Sequence, residues 1–102
     1  MKDLSDLQKR ALEIRAKYEK FETQKYGQPW TRERLVQGFS KDVTDLLEIT
    51  SAPHLDSKKL RHELADCLWS VLIIAKKYDV DLGDAFLATM NELDERLDKE
   101  LL

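Results

Sequence analysis

The segment from Leu64 to Ala75 (LADCLWSVLIIA) is apolar around nearly the whole circumference of a helix, and no other feature constrains the fold as strongly. A helix of that kind is buried on all sides, so the fold must supply neighbours to every face of it. The chain has 102 residues, enough for one domain spanning 1–102 with one modest core. Three Gly and two Pro are too few for a β-sandwich or barrel, which needs turn chemistry roughly every 8–12 residues. No segment alternates as a strand does, so the neighbours are helices. Three further helices of this length can hardly enclose a fully apolar one while burying their own stripes. That predicts self-association, as a dimer or a dimer of dimers.

The remaining helices are legible from spacing and punctuation. Leu4, Leu7, Ala11, Ile14, Tyr18 and Phe21 alternate steps of three and four, which stacks them on one side of a first helix with Lys, Arg and Glu on the other. Gly27-Gln28-Pro29 ends it, because Gly favours the left-handed turn after a helix and Pro biases Gln28 away from helical angles. Thr31 is placed to cap a second helix, with Glu33 in its first turn and its end near Thr50. Ser51-Ala52-Pro53-His54 breaks the pattern, and Asp56 or Ser57 caps a third helix that runs to about Tyr78. After a tight turn at Asp79-Val80, Asp81 caps a fourth, on which Phe86, Met90, Leu93, Leu97 and Leu101 form an apolar face. The expectation is an all-α, four-helix bundle-like subunit that oligomerises.

Charge and composition exclude several function classes. With 17 Lys+Arg against 20 Asp+Glu the net charge is −3, which leaves no electrostatic footprint for nucleic acid polymers. The longest unbroken apolar run, Val71 to Ala75, falls far short of the roughly 20 residues that span a bilayer. One cysteine cannot staple a fold, and with no hydrophobic leader after MKDLSDLQKR the chain reads as cytoplasmic. Cys67 itself is expected to be a buried small hydrophobe without a redox or metal role.

Carboxylates interrupt the apolar faces in a regular way. On the second helix Leu35, Phe39, Val43, Leu46 and Leu47 define the buried arc, with Ile49 at its edge; Asp42 falls inside that arc and Asp45 at its border. On the third, Glu63 and Asp66 project from the apolar segment, where an unpaired carboxylate costs several kcal/mol, on the order of a buried unpaired charge. Taken singly, each has an ordinary explanation as a partly exposed charge or an ion pair with a neighbour such as Lys41. Together, Asp42-x-x-Asp45 and Glu63-x-x-Asp66 place four carboxylates on facing sides of antiparallel helices. Their repulsion calls for a hard divalent cation, and oxygen ligation favours Mg²⁺ or Mn²⁺. A di-iron centre would need Glu-x-x-His pairs, and neither His54 nor His62 lies three residues after a Glu. His62 is expected to be a surface residue beside the site.

These two pairs, separated by the 17 residues from Leu46 to His62, resemble the metal-binding signature of the MazG-like all-α nucleoside triphosphate pyrophosphohydrolases. The resemblance covers about Trp30 to Arg96. Gly38-Phe39-Ser40-Lys41-Asp42-Val43-Thr44-Asp45-Leu46 matches the first helix motif, His62-Glu63-Leu64-Ala65-Asp66-Cys67-Leu68-Trp69 the second, and Asn91-Glu92 with Arg96 the following helix. It implies cleavage of a nucleoside triphosphate between the α and β phosphates, releasing a monophosphate and pyrophosphate. Asp42, Asp45, Glu63 and Asp66 would hold the metal, which bridges the triphosphate to the carboxylates, polarises the phosphoryl group and lowers the pKa of the attacking water. Lys41, Arg61 and Arg96 are the cations for charge on the phosphate oxygens. Three departures stand out. The family usually has Glu where this chain has Asp42 and Asp45. It commonly carries a further Glu at the position of Lys41, which leaves the general base unassigned, and a basic residue at that of Leu93. Trp30 and Trp69 have rings that can stack on a base, although such residues are more often core or interface. The competing reading is a non-catalytic or weakly active helical module that binds nucleotide, metal or a protein partner, supported by the heptad-like apolar stripes of the first and fourth helices.

Overall fold

The computed structural model describes residues 3–101 as four helices and, among the described residues, no strand: α1 Leu4–Tyr26, α2 Arg32–Ser51, α3 Ser57–Lys77 and α4 Leu82–Glu100. Each start is written in a capping side chain. Asp3 accepts the backbone N–H of Asp6 at 2.9 Å, Thr31 that of Arg34 at 3.2 Å, Asp56 that of Lys59 at 3.1 Å and Asp81 that of Asp84 at 3.1 Å. Such caps each contribute about 1 kcal/mol by satisfying donors that a helix start leaves open. Gly27 closes α1 at φ 88°, its N–H donating to the Thr23 carbonyl at 2.9 Å. The connection into α4 turns on Asp79 at φ 55°, a left-handed conformation that Asp tolerates better than most residues.

The core lies where α1 crosses α3. Ala11, Leu72 and Ile73 are buried there, and Leu12, Leu35, Trp69 and Leu82 pack against them. Trp69 also ties the two helices by a polar contact, its indole N–H donating to the Ala11 carbonyl at 3.1 Å. α2 packs along α3 as the second arm of an antiparallel hairpin.

Two expectations need correcting. The charged residues of α1 do not all face away from its apolar stripe: Arg15 and Glu22 are each 4% exposed, more deeply buried than Tyr18 or Phe21. At about 100° per residue both fall within about 40° of Ala11, in the middle of the buried face. They compensate each other there. Arg15 Nη1 donates to Glu22 Oε2 at 2.9 Å and Nη2 to Oε1, so the guanidinium fork meets both carboxylate oxygens. Burial pushes the Glu22 carboxyl up, but the Arg15 hydrogen bond, the Trp30 backbone N–H and the charges of Arg15 and Lys77 together hold it below its ordinary value.

The second correction concerns closure of the bundle. α4 meets the rest of the molecule through its first turn, where Leu82 joins the core and Gly83 lies against Leu4. None of its residues is buried, and Phe86, Leu87 and Leu97 stay more than half exposed. The radius of gyration is 16.8 Å, against about 13 Å for a compact chain of this length. The all-round apolar α3 is likewise only partly covered. Its second half holds Leu72, Ile73 and Ala75 in the core, while Leu64 and Leu68 face outward.

The buried pair sets an acid limit on stability. Because the folded Glu22 carboxyl lies below its ordinary value, its contribution is fully present above about pH 4.5, the range of an unperturbed carboxyl, and is lost as pH falls through the folded value. Glu22→Ala leaves the buried Arg15 with only the Glu19 carboxylate, 3.6 Å from its Nε, and is expected to cost about 3–5 kcal/mol, measured by urea unfolding at pH 7. A cost below about 1 kcal/mol, in the range of a surface pair, would contradict the buried pairing.

Candidate functional site

The α2–α3 hairpin brings the two carboxylate pairs to the neighbourhood of Cys67: Asp45 and Glu63 share one groove, while Asp42 borders a cavity toward α1 and Asp66 the surface between α1 and α3. Asp42, Asp45, Glu63 and Asp66 are all half-buried, and the three-residue separation within each pair puts its members on one side of their helix. Their convergence shows in the field at Cys67, whose thiol is pushed up by burial and then by the negative charges of Asp42, Glu63, Asp66 and Asp45. Cys67 is half-buried rather than buried, and it stays in the protonated, unreactive form.

Local partners are few. Asp42 accepts the Ser70 hydroxyl at 2.6 Å across the helix interface. Asp45 pairs with Lys41 one turn earlier at 3.1 Å, so the neighbour foreseen for Asp42 serves Asp45 instead. This hydrogen bond, followed by the charge of Asp45 and more weakly those of Glu48 and Glu63, raises the Lys41 ammonium above its ordinary value. Asp66 Oδ2 lies 3.2 Å from His62 Nε2. Among the described residues Glu63 has no side-chain hydrogen bond or ion pair, although His62, Glu63 and Asp66 each direct one ligand atom to within 4.8 Å of the others.

This donor set fits a hard divalent cation. It supplies four carboxylates on opposed helices against a single lysine and a single imidazole, with no arginine paired to any of them among the described residues. Among the described residues the tight grouping consists of Glu63 and Asp66 with His62; Asp42 and Asp45 of α2 lie outside it. His62 is exposed, as expected of a surface residue, but its contact with Asp66 makes it part of the group.

Two cavities flank the carboxylates. An open groove of about 630 Å³ at the hairpin end is bordered by Asp45, Glu48, Asp56, Lys59 and Glu63. A second, of about 330 Å³, lies between α1, α2 and α3. It is walled by Tyr18, Phe21, Tyr26, Trp30 and Trp69, with Arg15, Lys41, Asp42 and Ser70 at its polar side. Tyr18 and Trp69 pack with ring centroids 5.6 Å apart. Asp42 and Lys41 thus border the aromatic chamber, and Asp45, which pairs with Lys41, borders the acidic groove.

The residues singled out by sequence are only partly gathered. Lys41 is at the site; Arg61 is exposed near the start of α3, and Arg96 is exposed on the α4 that leaves the other helices. Neither arginine pairs with the four carboxylates among the described residues. Lys59, which borders the groove with Asp45 and Glu63, was not foreseen, because one lysine in the run Lys58-Lys59 carries no positional signal. Nor was Ser70, although it lies four residues after Asp66 and so on the same helical face.

No curated protein and no solved structure gives a significant match to the chain. A family model does match: that of the MazG nucleotide pyrophosphohydrolase domain, over residues 32–100, which include α2, α3, α4 and all four groove carboxylates. With that match spanning well over half its length, the chain belongs to the MazG nucleotide pyrophosphohydrolase domain family.

Proposed function

We propose that the chain is a Mg²⁺- or Mn²⁺-dependent nucleoside triphosphate pyrophosphohydrolase that cleaves the α–β phosphoanhydride, working in the cytoplasm as a self-associated dimer or dimer of dimers. The observation that carries this reading is the undercompensated group of four carboxylates between α2 and α3, beside a cavity walled by aromatic rings. Asp42, Asp45, Glu63 and Asp66 would hold the metal, which would supply charge neutralisation, Lewis-acid polarisation of the phosphoryl group and a lowered pKa for the attacking water.

The rest is positioning by this chain's own side chains. Trp30, Trp69 and Tyr18 offer ring faces to the base, stacking that holds any planar heterocycle. The triphosphate then runs past Asp42 toward the acidic groove. Lys41 and Lys59 meet its oxygens there, Lys41 exchanging its pairing with Asp45 for a phosphate once the carboxylate is engaged elsewhere. Arg61 and Arg96 reach the phosphates only if a second copy closes the groove, which agrees with an α4 that finds no place on its own subunit. Self-association also accounts for the exposed apolar side chains of α3 and α4.

The Lys41–Asp45 pair favours the alternative of a weakly active nucleotide- or metal-binding module, since it occupies a carboxylate that catalysis needs free. A pyrophosphate-release screen over ribo- and deoxynucleoside triphosphates separates the two. Turnover of at least one with Mg²⁺ or Mn²⁺ is expected, and none with either metal would leave only the binding module. Thermal melts test the site itself. Glu63 has no partner to strand, so Glu63→Gln should stabilise the metal-free protein by about 1–2 kcal/mol through relief of repulsion. It should also lose most of the Mn²⁺-induced gain, about 2.7 kcal/mol at a hundredfold excess over Kd for a ligand of the native state. A variant that melts lower than wild type in EDTA, with no metal shift in either protein, would falsify the site. Light scattering at micromolar concentration should show no 11.9 kDa species; a monodisperse monomer would remove the self-association.

A further inference from the structure

Apart from the carboxylate groove, the most deeply buried polar feature is the Arg15–Glu22 pair, and its place in the fold is hard to explain by stability. A buried ion pair is often no better than two apolar side chains of similar volume, because desolvation cancels most of the attraction. On α1 an apolar pair would simply extend the Leu4–Ala11–Tyr18 stripe. What an apolar pair cannot do is accept a hydrogen bond. Glu22 Oε1, besides meeting Arg15, accepts the backbone N–H of Trp30 at 2.8 Å. That contact joins α1 to the connection entering α2.

Trp30 is held from two further directions. The Arg34 guanidinium lies 4.8 Å from its ring centroid, and the ring edge rests over Gly38, where a Cβ would sit 3.4 Å from Cζ3. The side chain nevertheless remains 37% exposed. A large aromatic ring fixed at its backbone, over one face and along its edge, yet left open toward a cavity, is built as a wall for something else to lie against. Arg15 and Glu22 both border the same cavity.

We propose that Arg15 and Glu22 are positioning residues for the substrate's base: the buried pair anchors the backbone of Trp30 and so fixes one wall of the aromatic chamber beside Asp42. This rests on the functional reading above and adds to it a division of labour. The pair governs affinity for the planar heterocycle of the nucleotide and leaves the grip on its phosphates to the carboxylate groove. Its order is set in advance, so binding does not spend affinity on immobilising the ring.

The test replaces the pair with apolar groups. The double variant Arg15→Met/Glu22→Leu keeps the packing volume and strands no charge, while removing the acceptor for the Trp30 N–H. Calorimetry in Mn²⁺ compares two probes: the tightest-binding of the α,β-methylene analogues of ATP, GTP, CTP and UTP, and inorganic tripolyphosphate, which has no base. The variant is expected to melt within a few degrees of wild type and to bind tripolyphosphate within twofold of it, but to bind the nucleotide analogue about tenfold more weakly. Trp30→Leu, at a position open enough to accept the change whether or not the double variant folds, must give the same split. Wild-type affinity for the analogue in either variant overturns the proposal, as does an equal loss of both probes, which would mark a general disturbance of the fold. Wild-type protein that binds neither probe removes the functional reading, and this proposal with it.

Discussion

Helix α3 carries apolar side chains on every face, and a single chain covers only the half that includes Leu72, Ile73 and Ala75. Much else follows from that shortfall. A chain of this size has little apolar surface to spare, and here α1 and α2 use theirs on the second half of α3 and on its α2-facing side. Leu64 and Leu68 are left facing outward, and α4 is held only by its first turn. The carboxylates sit on the boundary between the two regimes. Glu63 and Asp66 are half-buried there, grouped with His62.

The molecule treats buried charge in two opposite ways. On α1 the charges balance: Arg15 and Glu22 exchange a bidentate contact and Glu22 also accepts the Trp30 N–H, while the buried Arg15 Nε has no hydrogen bond and faces the Glu19 carboxylate at 3.6 Å. In the α2–α3 groove it is deliberately short, with Ser70, Lys41 and His62 attending three of four carboxylates. A structural ion pair and a ligand site can share the same residue types; the balance of charge and the degree of burial tell them apart. The first arrangement is neutral as a pair. The second leaves excess negative charge that a cation would lower in energy.

The helix limits were legible in the sequence because they depend on chemistry within three or four residues. Thr31, Asp56 and Asp81 cap from their own side chains, and Gly27 takes a backbone angle that other residues resist. The carboxylate pairs were legible for a related reason, since three-residue spacing fixes a common face whatever the tertiary packing. Arg15 and Glu22 escaped notice although their angular position was available, because charged residues on a heavily charged helix are assumed to face water until a partner is known. Trp30 supplies what completes the pairing, and it comes from the next connection. The stance of α4 was not legible at all. Its apolar stripe of Phe86, Met90, Leu93 and Leu97 states that a neighbour exists, and periodicity is silent on whether that neighbour belongs to the same chain.

The carboxylates of α2 are both aspartates, Asp42 and Asp45, and each reaches less far from its helix than a glutamate would, by one methylene. A groove with shorter arms on one wall keeps the same ligand spacing only if the walls approach more closely. At Asp42 the carboxylate reaches α3 directly, accepting the Ser70 hydroxyl at 2.6 Å. Ser70 is small enough to allow that contact, and Gly38, one turn before Asp42 on α2, leaves room for Trp30 on the chamber side. Asp42 therefore works at an interface: its carboxylate is tied to α3 through Ser70, and the same residue borders the aromatic chamber on the α1 side. Of the four carboxylates, Asp42 is the one that both bonds across the α2–α3 interface and borders that chamber, so a change at this position acts on both at once.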